Sequence, residues 1–140
     1  MNICVDASVV VRLLNNNDYP DVARKWREAV GAGGQVVAPS LLRYEVVNAL
    51  YKSIRFANIS PTTAQQAIQT LMDLPIDYLH DDFLHRDALS LAVKYRLGAA
   101  YDAHYVALAQ HLGAELWTAD KRLYNAVHPH LDLVRLVDNA

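Results

Sequence analysis

The chain has 140 residues, of which 53% are hydrophobic and 20% charged, so its composition excludes a disordered protein and predicts one folded domain over residues 1–140. No apolar stretch approaches the length of a membrane span and the N-terminus lacks a signal-peptide pattern, so we expect a cytoplasmic protein without a membrane partner. The net charge of -2 is not the basic balance typical of nucleic-acid-binding domains, and it disfavours a nuclease unless bound cations offset acidic charge.

Short β-type runs alternate with longer helical patterns along the chain. The predicted strands are Ile3–Val5, Gln35–Ala38, Ile76–Tyr78, Glu115–Thr118 and Leu133–Leu136. The predicted helices are Ser8–Leu14, Asp21–Val30, Leu41–Arg55, Pro61–Leu74, Leu84–Tyr95, Tyr101–Leu112 and Lys121–Val127. Gly98 and Gly113 stand where two helices are expected to stop. The alternation predicts an α/β fold, a three-layer sandwich with a small, mostly parallel central sheet.

Two aspartates follow predicted strands. Asp6 comes directly after the apolar run Ile3–Val5, and Asp120 comes after the strand that ends at Thr118. In parallel sheets, ligands bind beyond the carboxyl ends of the strands, where both carboxylates are expected to lie. Each aspartate also precedes a predicted helix, so each has the ordinary alternative of a helix N-cap or first-turn acid.

Two further acids lie within predicted helices. On a helical projection Asp102 falls inside an apolar arc, between Val106 and Ala109, and an inward carboxylate is costly unless a cation or hydrogen-bond donors satisfy it. Glu45 belongs to a polar stripe with Asn48, Lys52 and Arg55. That stripe is either the solvated face of an amphipathic helix or the lining of a cleft that handles phosphate groups.

The order and spacing of the four acids resemble those of the PIN-domain ribonucleases, in particular the small VapC-type toxins of toxin–antitoxin pairs. The segments that carry the resemblance are Val5-Asp6-Ala7-Ser8, Tyr44-Glu45-Val46-Val47-Asn48-Ala49-Leu50, Tyr101-Asp102-Ala103-His104-Tyr105-Val106-Ala107-Leu108-Ala109 and Leu116-Trp117-Thr118-Ala119-Asp120. The resemblance implies a PIN-like fold and assigns Asp6, Glu45, Asp102 and Asp120 as the catalytic, metal-binding acids. Ser8, Asn48 and Thr118 would support these acids through hydrogen bonds.

The resemblance further implies an endoribonuclease that uses Mg²⁺ or Mn²⁺ to hydrolyse RNA. Its expected partners are an RNA substrate, a cognate antitoxin protein and a second copy of the chain in a homodimer. The cations near the acids in sequence are expected to contact the phosphates of the substrate, and these are Arg12, Arg43, Lys52 and Lys121.

Two rival functions fit much of the same pattern. A non-cleaving PIN-like module that binds RNA or protein would need no carboxylate cluster, whereas a structure-specific DNA nuclease would use the same acids. The six histidines lack the spacing of a zinc site, and His104 and His111 are expected to be solvated surface residues. The eight tyrosines are expected mostly to pack in the core, with Tyr44, Tyr51 or Tyr124 as alternative stacking partners for a base.

Overall fold

The α/β fold predicted from the sequence is the fold of the computed structural model, which describes residues 1–15 and 17–137. The strands are β1 (Asn2–Val5), β2 (Gln35–Pro39), β3 (Ile76–Leu79), β4 (Glu115–Thr118) and β5 (Val134–Leu136). The helices are α1 (Ala7–Leu14), α2 (Pro20–Gly31), α3 (Leu41–Phe56), α4 (Pro61–Asp73), α5 (Phe83–Tyr95), α6 (Ala100–Leu112) and α7 (Lys121–Val127). Each bound lies within one residue of the predicted one.

The sheet has the strand order β3-β2-β1-β4-β5, and every strand pair among the described residues is parallel. The prediction of a mostly parallel sheet is therefore confirmed, and no antiparallel pair occurs among these residues. The rule that connections between parallel strands are right-handed puts α1–α4, which lead from β1 outward to β3, on one face of the sheet, and α5–α7, which lead back to β4 and β5, on the other. Helices on both faces give the predicted three layers.

The central strand β1 lies where the order of strands reverses, with β2 on one side and β4 on the other. Val5 pairs with Trp117, and the amide of Asp6 continues the ladder by donating to the carbonyl of Trp117 at 3.2 Å. The carboxyl ends of β1 and β4 are therefore adjacent. In sheets of this kind such a reversal opens a crevice for ligands.

Helices cover both faces of β1, so Ile3, Cys4 and Val5 are all buried. No helix among residues 1–15 and 17–137 combines the length and apolar character needed to cross a membrane.

The burial of α6 differs from the predicted apolar arc. The helical projection of this segment places Ala103 on the polar side and Tyr101 in the apolar arc, yet Ala103 is fully buried and Tyr101 is 60% exposed. The cause is that α6 packs against the sheet on one side and against α5 on another, so its central turns are buried almost all round. A projection of a single helix cannot reveal a second packing partner.

Of the two helix ends that were expected at glycines, only the one after α6 has glycine as its left-handed residue. Gly113 adopts a left-handed conformation (φ 62°) after α6, as expected. At the end of α5 the left-handed residue is Arg96 (φ 52°), and Gly98 follows two residues later. The prediction that Gly98 ends this helix is therefore wrong, and an arginine occupies a conformation that glycine adopts far more readily.

Candidate active site

Asp6 is buried at the start of α1 and is held by three donors. Its Oδ1 accepts the backbone N–H of Val9 at 3.2 Å and the hydroxyl of Ser8 at 2.5 Å, while its Oδ2 accepts the hydroxyl of Thr118. The ordinary alternative of an N-cap is thus correct for Asp6, although capping uses only part of its hydrogen-bonding capacity. Burial raises the pKa of Asp6 to about 6 despite these hydrogen bonds, and the charge of Asp102 adds to the shift.

Ser8 and Thr118 connect the ends of β1 and β4 around this carboxylate. Besides contacting Asp6, the Ser8 hydroxyl accepts the N–H of Ala119 at 2.8 Å, and the Thr118 hydroxyl accepts the N–H of Asp120 at 3.1 Å. The orientation of the Asp6 carboxylate is consequently tied to the turn that carries Asp120. These are the contacts that a supporting role for the two hydroxyls requires.

Asp102 lies in the first turn of α6, where the charges of two other predicted acids affect its pKa. Its pKa is raised to about 6, chiefly by burial, then by the negative charges of Asp120 and Glu45, and only the charge of Arg122 opposes this. Together with its effect on Asp6, this coupling shows that the structure brings all four predicted acids into one electrostatic cluster.

Glu45 reaches the cluster from α3, where its Oε1 accepts a hydrogen bond from the buried hydroxyl of Tyr105 at 2.5 Å. Burial and the charge of Glu45 both raise the pKa of the Tyr105 phenol, so the phenol stays protonated and donates. Sequence reasoning placed Tyr105 among apolar residues and missed this role. The signal available was that a buried tyrosine hydroxyl usually finds a polar partner.

The polar stripe of α3 lines an open cleft of about 500 Å³ between α1 and α3. Glu45, Asn48 and Lys52 lie along one wall, and Ser8 and Arg12 lie along the other. Of the two alternatives left open by the sequence, the structure therefore supports a cleft lining for most of the stripe.

A second cleft, of about 330 Å³, opens on the other side of the acids and is lined by Arg96, Asp102, Asp120 and Arg122. Asp120 is the N-cap of α7, where its Oδ1 accepts the N–H of Arg122 at 2.9 Å, so the ordinary alternative holds for this acid too. The Nε of Arg122 lies 3.9 Å from the same oxygen, but its side chain is almost fully exposed, so this ion pair is weak.

The four cations predicted to contact substrate are not all near the acids. Arg12 and Lys52 line the first cleft, and Lys121 is exposed at the start of α7. Arg43 instead lies in a separate hollow, with its guanidinium 4.3 Å from the centre of the Tyr78 ring. Two residues along a helix differ by about 200° in direction, so Arg43 and Glu45 face different sides of α3.

Two further groups of side chains differ from expectation. His104 is half-buried rather than solvated, and its Nε2 lies 3.0 Å from Nδ1 of His85. Tyr44, Tyr51 and Tyr101 are exposed instead of packing in the core. The histidine contact joins α5 to α6, and the pattern of one helix does not report such a partner.

The donor set of the cluster consists of carboxylate oxygens, which are the ligands preferred by Mg²⁺ and Mn²⁺. Among the described residues, no three His, Cys, Asp or Glu side chains already stand in an arrangement that could hold a metal ion. Mg²⁺ usually keeps several waters and uses only one or two carboxylates, so a closed cage is not required. The acids therefore fit a hydrated divalent cation better than a fully protein-coordinated one.

Comparison with known proteins agrees with the fold. The sequence model of the PIN domain matches residues 3–128 of the chain. The chain is 30% identical over 125 residues to ribonuclease VapC3 of Pyrobaculum aerophilum. The matched region covers 88% of this chain and 92% of that protein. This chain belongs to the PIN-domain family.

Solved structures share the same architecture. The crystal structure of PAE2754 from Pyrobaculum aerophilum matches 90% of this chain and 84% of its own, with a TM-score of 0.68 and 26% identity. A toxin–antitoxin complex from Klebsiella pneumoniae contains a chain that matches 99% of this chain and 99% of its own, with a TM-score of 0.67 and 15% identity.

The raised pKa values of Asp6 and Asp102 predict how stability depends on pH in the presence of a chelator. Both acids titrate near pH 6 in the folded chain and near 3.8 when unfolded, so the unfolded chain loses these protons first. Their contribution to the free energy of unfolding should therefore fall as pH rises from about 4 to about 6, and then stay constant. Melting curves across this range measure the effect.

The matched variants for this experiment are Asp102→Asn and Asp87→Asn, the second of which changes an exposed acid on α5. Asp102→Asn removes one titrating group and one repulsive neighbour of Asp6, so it should lose less stability over the window than the wild type. Asp87→Asn should follow the wild type. A large loss of stability for Asp102→Asn at every pH in chelator would instead identify Asp102 as a satisfied structural acid.

Proposed function

We propose that this chain is a metal-dependent endoribonuclease that acts as the toxin of a toxin–antitoxin pair. The observation that carries the proposal is the position of Asp102, half-buried among Asp6, Glu45 and Asp120 where the strand order reverses. Clefts containing basic side chains lie on both sides of these acids. The similarity to a VapC ribonuclease, with a PIN-domain match over most of the chain, supports the same activity.

In this proposal Asp6, Glu45, Asp102 and Asp120 hold Mg²⁺ or Mn²⁺, directly or through water. When bound, the cation would lower the pKa of a coordinated water and offset the charge that develops on the phosphate and the leaving oxygen. Ser8 and Thr118 fix the orientation of Asp6, and the phenol of Tyr105 fixes that of Glu45. No side-chain nucleophile is needed.

The basic residues of the first cleft have a separate task, which is to hold the RNA strand. Arg12 and Lys52 flank Glu45 and Asn48 there, and their positive charges offset the repulsion between the acids and the phosphates. The exposed Lys121 stands at the start of α7, next to Asp120 in the sequence. Asn48 lines the cleft as an uncharged donor and acceptor.

Two other functions can be distinguished from this one by what happens to RNA and DNA probes. A non-cleaving binding module would retain RNA without shortening it, and a structure-specific DNA nuclease would prefer a DNA probe. Incubation with single-stranded RNA, structured RNA and DNA in Mg²⁺ or Mn²⁺, followed by sizing of the products, distinguishes the three. Cleavage of RNA with little cleavage of DNA is the expected result.

Replacement of Asp6 or Asp102 by Asn is expected to lower RNA cleavage by about 100- to 1,000-fold, since each change removes charge that stabilises the transition state. Asp87→Asn is the matched control and should keep normal activity. The rate of RNA cleavage under saturating Mn²⁺ measures the effect. Near-normal turnover by Asp6→Asn under these conditions would refute the assigned site.

Thermal melting shows whether a variant that loses activity still folds. Mn²⁺ should raise the melting temperature of the wild type above its value in chelator, because only the folded chain brings the acids together. Asp102→Asn should fold but show much less of this gain. An inactive Asp102→Asn that melts far below the wild type in chelator would mean that the loss of activity is structural.

We also propose that the chain forms a homodimer and is inhibited by a cognate antitoxin. Exposed apolar side chains on its surface support a need for protein partners: Tyr44, Val47 and Tyr51 recur along α3, and Leu89 and Val93 lie one turn apart on α5. An arginine of the antitoxin is a suitable group to approach the acids, because guanidinium groups bind carboxylates bidentately.

Light scattering of the purified protein should give the mass of a dimer, and expression from its native operon should yield a complex with a small second protein. Binding of that protein is expected to reduce RNA cleavage. A strictly monomeric mass without any co-purifying small partner would contradict this part of the proposal.

A further inference from the structure

Arg96 occupies a backbone conformation that is unfavourable for a residue with a side chain. Its φ of 52° and ψ of 48° place it in the left-handed region, directly after the last residue of α5. A β-carbon crowds the neighbouring carbonyl in this region, so glycine is the usual residue at such a helix end.

The chain contains a matched helix end that uses glycine. After α6, Gly113 adopts nearly the same conformation (φ 62°, ψ 31°), and Ala114 donates to the carbonyl of Ala109 at 2.9 Å. After α5, Leu97 donates to the carbonyl of Ala92 at 3.1 Å in the same pattern. The two ends thus have the same hydrogen-bonding geometry, and only the one after α5 carries an arginine.

The position of Arg96 supplies a reason for this choice. It lines the second cleft together with Asp102, Asp120 and Arg122. That cleft holds two of the proposed catalytic acids, which repel a phosphate backbone unless cations are present. The first cleft has Arg12 and Lys52 as its cations, whereas in the second the nearest counterpart, Arg122, lies beside Asp120.

We propose that Arg96 binds a phosphate of the RNA strand on the α5–α6 side of the acids, so that the strand runs from the first cleft across the acids into the second. Arg96 is a substrate-positioning residue whose side chain is kept there at the expense of backbone strain. This inference rests on the proposed function, because it requires a polyanionic substrate at these acids.

The decisive variant is Arg96→Gly, which has opposite expected effects on stability and on binding. Relief of the left-handed conformation should raise the melting temperature by about 2–4 °C. Loss of the guanidinium should weaken binding of a fluorescent single-stranded 15-nucleotide oligouridylate by about 3- to 10-fold. The slope of log affinity against log salt concentration should become shallower by about 0.7, as expected for one lost phosphate contact.

Binding is measured by fluorescence anisotropy in Mn²⁺ in an Asp6→Asn background, so that the RNA stays intact, and melting is measured in the wild-type background. Arg96→Lys should keep most of the binding and its salt dependence, with no gain in stability. Asn58→Gly changes the other left-handed non-glycine residue of the described chain, between α3 and α4 (φ 57°), and should leave binding unchanged. Arg27→Ala removes an exposed cation from α2, which lines neither cleft, and should also leave binding unchanged.

The outcomes separate this inference from the proposed function. If the parent binds the RNA and Arg96→Gly binds with the same affinity and salt slope, Arg96 has no phosphate contact and the inference is overturned while the nuclease assignment stands. If the melting temperature of Arg96→Gly is lower than that of the wild type, Arg96 does not strain the folded chain, and the inference is again overturned. If the wild type neither binds nor cleaves RNA, the proposed function fails and this inference fails with it.

Discussion

The parallel pairing of β1 with β4 is the interaction on which the arrangement of the site depends. It places the end of one strand beside the end of another that is more than a hundred residues away in the sequence, and Asp6 continues the ladder by donating to the carbonyl of Trp117. The hydroxyl of Thr118 then reaches Asp6 directly. Loss of this register would separate Asp6 from the turn that carries Asp120, and the supporting hydroxyls could no longer orient the carboxylate.

The same geometry sets stability against function. Burial and mutual repulsion raise the pKa values of Asp6 and Asp102, so the folded chain at neutral pH holds charges that water would solvate better. The hydroxyl groups of Ser8 and Thr118 offset part of this penalty at Asp6, whereas at Asp102 only the charge of Arg122 offsets it. Arg96 adds backbone strain next to the same acids. Unfavourable features that concentrate in one region are typical of functional sites.

Much of the fold follows from the sequence because strands buried on both faces and amphipathic helices have distinct periodicities. The acids could be found because each stands next to an apolar strand or inside a helical pattern. Other features depend on contacts between distant segments. Tyr105 reaches Glu45 across 60 residues, α6 is enclosed by both α5 and the sheet, and Arg43 turns toward Tyr78. Arg96 was missed because the nearby Gly98 carried the usual signal for a helix end.

The most direct test of the central claim is the location of a bound divalent cation in crystals of this protein. Anomalous scattering from Mn²⁺ marks the ion independently of how the side chains are interpreted. A peak within coordinating distance of the carboxylates of Asp6 and Asp102, absent in crystals of Asp102→Asn, is the expected result. Full occupancy of Mn²⁺ at a different place in the wild type, with no peak near these acids, would contradict the assignment of the cluster as a cation site.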